Sequence, residues 1–157
     1  MITSKKNGLR VVLITQGLSR IFFPLLHSRH ELVGVIEAIN KKKSLPFSPK
    51  MRFGDLLRKL CSWFKSGNPL FAFCHKQGLP YYLLQSSSDP AVIDWLTKTK
   101  PDVIVVYSMS QLLRENVFAW PRYGTINLHH AYLPDYRGPN PDFWHYYNTD
   151  LNPGVTV

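Results

Sequence analysis

The chain has 157 residues and a mass of 18.1 kDa, the size of one domain or a large part of one. Apolar residues make up 45% and charged residues 18%, which argues against a disordered tail or a fibrous protein. No apolar run approaches the roughly 18 residues of a membrane-spanning helix. The two cysteines have no disulfide-scaffold or metal-site spacing. We therefore expect a protein of the reducing cytoplasm.

The positive charge is concentrated in the first half of the chain. Residues 1–80 carry 14 Lys and Arg against 3 Asp and Glu, a charge of +11, whereas residues 81–157 carry 5 against 7, a charge of −2. A basic half can meet an anionic partner such as RNA, a phosphorylated metabolite or a membrane surface. Surface lysines that maintain solubility explain it equally well, so charge alone selects no partner.

Short apolar runs alternate with amphipathic stretches along the chain, a pattern typical of the α/β class. Ser19 is predicted to cap a helix that runs to about residue 27, and Asp89 to cap a helix over 90–98. A buried strand is predicted over residues 9–15. Further strands are predicted over 32–36, 103–106 and 125–128, a short one over 81–84, and one more begins at residue 154. These elements predict a mostly parallel sheet flanked by helices.

A basic insert, residues 41–76, separates the second and third predicted strands. Its first part, 41–52, has the breakers and charge of an exposed loop. Apolar residues then recur at helical spacing between 53 and 64, with basic residues among them. Such a helix can lie on a membrane surface or bind a partner, but packing against the sheet is the favoured interpretation.

The chain ends on strand-like residues. Residues 155–157 include two valines and a threonine, with no turn or closing helix behind them. A strand that stops in mid-run leaves its backbone groups without partners. We therefore expect a shortened form of a longer protein, with the final elements of the fold missing.

The highest concentration of side chains suited to catalysis begins where the predicted strand 125–128 ends. Strand side chains alternate, so Asn127 and His129 project from one face while Leu128 points to the other. Ligands of open α/β sheets collect outside the carboxyl ends of the strands. An amide beside an imidazole suits the stabilisation of an oxyanion combined with proton transfer. The loop that follows, up to residue 142, contains three prolines and a glycine. Such a stiff loop can form one wall of a pocket.

Asn-x-His followed by Leu-Pro-x-Tyr-Arg-Gly-x-x-Pro, residues 127–141, resembles the active-site signature of the formyltetrahydrofolate-dependent formyltransferases. That family includes methionyl-tRNA, glycinamide ribonucleotide and nucleotide-sugar formyltransferases. The resemblance covers residues 78–157 well and 9–37 weakly, and it leaves the basic insert unmatched. It implies a Rossmann-like sheet and identifies residues 1–157 as an incomplete N-terminal catalytic domain.

The resemblance also implies roles for individual residues. Asn127 would hydrogen-bond the formyl oxygen and the oxyanion formed when an amine attacks. His129 would supply a second donor and assist proton movement. The loop that holds the pterin ring of the formyl donor in relatives matches Ser108, Met109, Gln111, Leu112 and Leu113. The loop that shapes the substrate site matches Tyr136, Arg137 and Gly138.

A third implied catalytic group has no counterpart in the sequence. Relatives place an Asp downstream of the strand that starts near Val155, at a position past Val157. The resemblance assigns that role to none of Asp135, Asp142 or Asp150. We therefore expect the full reaction to be slow or absent in this polypeptide alone.

The implied activity is transfer of a formyl group from formyltetrahydrofolate to a primary amine. The run 139–144 resembles the non-tRNA members more closely, which favours a nucleotide-linked amino sugar as the acceptor. The alternatives are an enzyme similar to methionyl-tRNA formyltransferase and an inactive remnant that still binds folate. No metal is required, and the oligomeric state stays open.

Two other patterns have competing explanations. His129, His130 and His145 can be imagined as metal ligands, but no carboxylate or cysteine has matching spacing. Aromatic residues between 132 and 147 suggest base stacking on RNA. For three of them helix packing is the simpler explanation: Phe143, Trp144 and Tyr147.

Overall fold

The computed structural model describes residues 8–39, 68–109 and 111–157, and its centre is a five-stranded sheet. The strand order is β3-β2-β1-β4-β5, and every pair of neighbours is parallel. This arrangement confirms the predicted α/β class with a Rossmann-like sheet. The strands are β1 (Arg10–Thr15), β2 (Glu31–Ala38), β3 (Tyr81–Leu84), β4 (Val103–Val106) and β5 (Thr125–Asn127).

Helices connect the strands in the described part of the chain. Neighbouring parallel strands require such crossover connections, because the chain must return to the amino end of the sheet before each new strand begins. The helices are α1 (Phe22–His27), α2 (Pro69–Gln77), α3 (Ala91–Thr99), α4 (Glu115–Phe118) and α5 (Pro141–Tyr147). None of the helices in these described ranges is long and apolar enough to cross a membrane.

Apolar clusters cover both faces of the central strands. On one face Ile14 and Ile104 pack with Leu96 of α3. On the other, Leu13 and Val105 pack with neighbours that include α2. Because alternate residues of the same strand enter different clusters, residues 11–14 of β1 and all of β4 are continuous apolar runs. Burial on both faces is what made these strands recognisable in the sequence.

The two predicted helix caps have different outcomes. Asp89 Oδ1 accepts a hydrogen bond from the Ala91 N–H at 3.1 Å, which confirms the predicted cap of α3. The predicted Ser19 cap is wrong, because α1 begins only at Phe22 and has no side-chain cap. The Ser19 carbonyl instead accepts from the Phe22 N–H at 3.4 Å, in a turn that precedes the helix. Ser19 therefore lies too far ahead of the helix to cap it.

The aromatic residues of α5 do not pack into the core as expected. Phe143, Trp144 and Tyr147 contact one another, with ring centroids 5.2–6.1 Å apart, yet all three remain exposed. The residue of α5 that is buried is His145. The helix turns its histidine inward, so the packing explanation for the three rings is wrong.

Two other predicted segments differ from the structure or lie outside it. The strand expected from residue 154 is a single antiparallel bridge between Thr156 and His129. Of the basic insert, residues 69–76 belong to α2, whereas the predicted loop 41–52 and helix 53–64 lie outside the described residues.

Candidate active site

Asn127 is the last residue of β5, at the carboxyl edge of the sheet. Its Cα pairs with that of Val106, the last residue of β4, so two strand ends meet there. Asn127 is exposed and His129 is half-buried. The alternation of an extended chain places both residues on the same face of this edge. The exposed amide of Asn127 can both donate and accept, and alternation predicts that the His129 imidazole faces the same way.

The backbone and the ring of His129 are held at separate points. Its N–H donates to the Thr156 carbonyl and its carbonyl accepts from the Thr156 N–H, both at 2.8 Å. Its ring Nε2 lies 2.9 Å from the backbone carbonyl oxygen of Tyr136. A carbonyl can only accept, so this contact requires the proton on Nε2. In the neutral ring, Nδ1 is then the atom that carries the lone pair.

Thr156 organises the loop that follows β5, a role that the sequence analysis missed. Its hydroxyl donates to the Ala131 carbonyl at 2.7 Å and accepts from the Leu133 N–H at 3.0 Å. With the two backbone bonds to His129, this one residue fixes three positions of the loop. A threonine at the end of a chain carries no sequence signal for such contacts, because its partners are backbone atoms.

The loop after β4 presents an apolar side chain at the same edge. Met109 and Leu113 are partly buried and pack against the core beside α3. Leu112 between them is 89% exposed. Ser108 Oγ lies 3.4 Å from Gln16 Oε1, which connects this loop to the end of β1. The two anchored residues hold Leu112 outward, where a ligand can cover it.

Gln111 uses both ends of its amide on the protein itself. Its Nε2 donates to the Ile39 carbonyl and its Oε1 accepts from the Ser87 N–H, both at 2.8 Å. These bonds tie the loop after β4 to the ends of β2 and β3. The Gln111 side chain thus holds the loop in place, with both ends of its amide occupied by the protein itself.

The predicted substrate loop lies against the second site residue. Tyr136 has a φ of +49° and Gly138 a φ of +101°, so both have positive φ values that residues with a side chain rarely adopt. The Tyr136 hydroxyl donates to Asp150 Oδ2 at 3.0 Å. Arg137, between these turn residues, is exposed. The structure therefore brings Tyr136 to His129, whereas Arg137 points to solvent.

The other histidines of this region are held separately. His130 Nδ1 lies 3.3 Å from Asp142 Oδ2. His145 Nδ1 lies 3.3 Å from Asp150 Oδ2, without the geometry of a hydrogen bond. Within the ranges that the structure describes, no three His, Cys, Asp or Glu side chains converge as a metal site would require.

A separate hollow of about 540 Å³ lies along α5 and the residues that follow it. It does not include Asn127 or His129. It is lined by Phe143, His145, Tyr146, Tyr147, Thr149, Asp150 and Leu151.

Comparison with known proteins decides the family. The family model described as formyl transferase matches residues 58–157, well over half of the chain. The chain belongs to the formyl transferase family. The match confirms the resemblance inferred from residues 127–141, and it also takes in residues 58–76 of the basic insert.

Individual members of the formyl transferase family show how much of each protein is shared. Methionyl-tRNA formyltransferase of Roseiflexus castenholzii is 40% identical over 80 residues, which are 51% of this chain and 26% of that protein. The bifunctional polymyxin resistance protein ArnA of Wigglesworthia glossinidia brevipalpis is 34% identical over 82 residues, 52% of this chain and 12% of that protein. The chain thus spans about a quarter or less of these two relatives.

A solved structure shares the fold. Glycinamide ribonucleotide transformylase 1 from Geobacillus kaustophilus superimposes with a TM-score of 0.65. The superposition covers 96% of this chain and 73% of that one, at 13% sequence identity. At this identity the likeness establishes the sheet and its helices, and it says nothing about the substrate.

Proposed function

We propose that this chain acts in the transfer of a formyl group from formyltetrahydrofolate to a primary amine, with Asn127 and His129 as catalytic residues. The observation that supports this most directly is the pair itself. Asn127 is exposed and His129 is half-buried at the carboxyl end of β5, where strand alternation points both side chains to one face, and the Tyr136 carbonyl selects the Nε2–H tautomer of His129. Membership of the formyl transferase family supports the same reaction class.

The two side chains have different roles in the proposed reaction: Asn127 stabilises charge and His129 transfers a proton. Asn127 Nδ2 donates a hydrogen bond to the formyl oxygen, where negative charge grows as the amine attacks the formyl carbon. A C–N bond forms to the amine while the C–N bond to the folate nitrogen breaks. His129 Nδ1 accepts the proton that the amine loses and returns it to the released nitrogen. Atoms and charge therefore balance without a covalent enzyme intermediate.

The loop after β4 is the proposed binding site of the formyl donor. Leu112 offers exposed apolar surface that a flat pterin ring can cover, and Met109 and Leu113 anchor the loop behind it. Ser108 and the backbone of the loop supply polar contacts, and Gln111 holds the loop in position. These residues fit a planar, partly apolar donor, which when bound supplies the formyl carbon.

The proposed acceptor is the amine of a nucleotide-linked amino sugar, with Tyr136, Arg137 and Gly138 shaping its site. The run 139–144 supports this choice, as does the exposed guanidinium of Arg137, which suits a phosphate. The second candidate is a methionyl-tRNA acceptor. The name of the relative from Roseiflexus castenholzii and the charge of +11 on residues 1–80 favour it. In both cases the cytoplasm is the proposed compartment.

Donor binding and turnover test this function in two steps. We expect the chain to bind 5-formyltetrahydrofolate saturably in a calorimetric titration. We expect only slow release of tetrahydrofolate from 10-formyltetrahydrofolate when the correct acceptor is added to this polypeptide alone. Turnover with an amino-sugar nucleotide supports the first acceptor, and turnover with methionyl-tRNA supports the second. Binding without turnover for any acceptor identifies the inactive folate-binding alternative, and absence of binding overturns the proposal.

Substitutions at the pair assign the roles. Asn127→Ala and His129→Ala should each lower kcat about 10²–10³-fold, because each removes a group that acts on the reacting atoms. Asn127 is exposed, so its loss should leave the free energy of unfolding nearly unchanged. His130→Ala is the matched control, since His130 is the adjacent histidine and contacts Asp142 instead. Wild-type turnover in His129→Ala would refute the assignment.

A further inference from the structure

Among the residues that the structure describes, the Tyr136 carbonyl is the group that contacts a ring nitrogen of His129. The oxygen lies 2.9 Å from Nε2, and as an acceptor it selects the Nε2–H tautomer. The orientation of this carbonyl therefore decides whether Nδ1 is left to accept a proton. The orientation of this carbonyl in turn depends on the contacts that hold the backbone of the loop in place.

Tyr136 is not held by regular secondary structure. Its φ of +49° lies in the left-handed region, which residues with a side chain rarely occupy. Such a conformation persists only where surrounding contacts enforce it. In Tyr136 these contacts are made by the side chain: the hydroxyl donates to Asp150 Oδ2 at 3.0 Å, and the ring packs on His145 with centroids 4.0 Å apart.

Asp150 is in turn fixed by its own neighbours. Its Oδ1 accepts from the Asn152 N–H at 3.0 Å, and its N–H donates to the His145 carbonyl at 2.9 Å. The bonds from Asn152 and Tyr136, with the nearby His145, hold the pKa of the Asp150 carboxyl below its usual value. Asp150 is therefore a charged acceptor, which forms a stronger hydrogen bond with the tyrosine hydroxyl than a neutral group would.

We propose that Tyr136 and Asp150 are positioning residues that fix the tautomer of His129. Asp150 holds the Tyr136 hydroxyl, the tyrosine side chain holds the loop backbone, and the Tyr136 carbonyl holds Nε2–H of His129. The inference rests on the proposed function, which gives His129 a role in proton transfer. Neither residue touches the reacting atoms, so both act through the orientation of the imidazole.

The tautomer can be measured without any substrate. Long-range ¹H–¹⁵N correlation spectra of the ¹⁵N-labelled chain distinguish Nε2–H from Nδ1–H for each imidazole, and His129→Gln assigns the His129 signals. We expect Nε2–H in the wild-type chain. Tyr136→Phe removes the hydroxyl and keeps the ring, and it should raise the Nδ1–H to Nε2–H ratio of His129 about two- to tenfold.

Three further variants separate positioning from a general effect on folding. Asp150→Ala should change the tautomer ratio in the same direction, and Asp150→Asn, which keeps an acceptor oxygen, should restore most of it. Tyr132→Phe is the matched control. Tyr132 lies on the same loop, and its hydroxyl makes no hydrogen bond within the described residues. It should therefore leave His129 unchanged.

The outcomes distinguish this inference from the proposed function. An unchanged His129 tautomer in both Tyr136→Phe and Asp150→Ala overturns the positioning role, whatever the chain binds. A tautomer that responds as expected, in a chain that does not bind 5-formyltetrahydrofolate, supports the positioning contacts and overturns the proposed function. Unfolding of Tyr136→Phe alone is resolved by Asp150→Ala, which leaves the tyrosine ring intact.

Discussion

At the scale of single residues, burial decides which groups take part in chemistry. Cys74 of α2 is completely buried, and burial, with the Glu37 carboxylate as a lesser cause, raises the pKa of its thiol to about 11. The reactive form of a cysteine is the thiolate. Cys74 is therefore a structural residue, in contrast to the accessible amide of Asn127 at the sheet edge.

Alkylation of Cys74 tests this difference. In a Cys61→Ser background, where Cys74 is the remaining thiol, we expect reaction with iodoacetamide at pH 8 to be more than about 100-fold slower in the native chain than in urea. A thiol with a pKa of about 11 is only about a thousandth ionised at that pH, and burial adds a steric barrier. Equal rates in the native and unfolded chain would show that Cys74 is accessible.

The sequence proposes Asn127 and His129 as a pair, whereas the groups that hold His129 could not be predicted from it. Alternation along a strand depends only on the sequence, so it places both side chains on one face. The contacts that Thr156 and the Tyr136 carbonyl make with His129 depend on how the loop after β5 folds back. A backbone acceptor also has no sequence signature. Gln111 illustrates the same limit, because the motif identifies its loop but not the two backbone groups that occupy its amide.

At the scale of elements, α2 owes its start to one side chain. Asn68 Oδ1 accepts from the N–H groups of Leu70 and Phe71, at 2.9 and 3.1 Å. Its Nδ2 donates to Glu37 and to Tyr81, which join the helix start to β2 and β3. Asn68 therefore both caps the first turn of α2 and attaches that turn to the sheet.

Substitution of Asn68 measures the contribution of the cap. Asn68→Ala removes the cap and the contacts to the sheet, whereas Asn68→Ser keeps an oxygen that can cap and loses only those contacts. We expect the alanine variant to have a free energy of unfolding about 1 kcal/mol lower than the serine variant, in urea titrations at neutral pH. Variants of equal stability would mean that the Asn68 cap contributes nothing.

Prediction of elements succeeded where local patterns suffice and failed where tertiary contacts decide. The Asp89 cap lies directly ahead of its helix and could be predicted, whereas Ser19 is separated from α1 by a turn. In α5 the aromatic residues suggested a buried face, but the helix buries His145 against the Tyr136 ring. That choice depends on the loop beneath the helix, which periodicity does not describe.

At the scale of the whole molecule, the sheet brings distant parts of the chain to one edge. β1, β4 and β5 are adjacent although they span residues 10–127, so the loops that follow them converge. The parallel sheet was predictable from buried strands that alternate with helices. The order β3-β2-β1-β4-β5 was not, because several orders satisfy the same pattern of apolar runs.

The central claim is that a formyl donor binds at the edge formed by β4 and β5. Its most direct test is a titration of the ¹⁵N-labelled chain with 5-formyltetrahydrofolate, followed by ¹H–¹⁵N spectra. We expect the side-chain amide of Asn127 and the backbone amides of residues 108–113 to shift together and to saturate at one ligand concentration. Shifts confined to the hollow beside α5, around Phe143 and Leu151, or an absence of shifts, would contradict it.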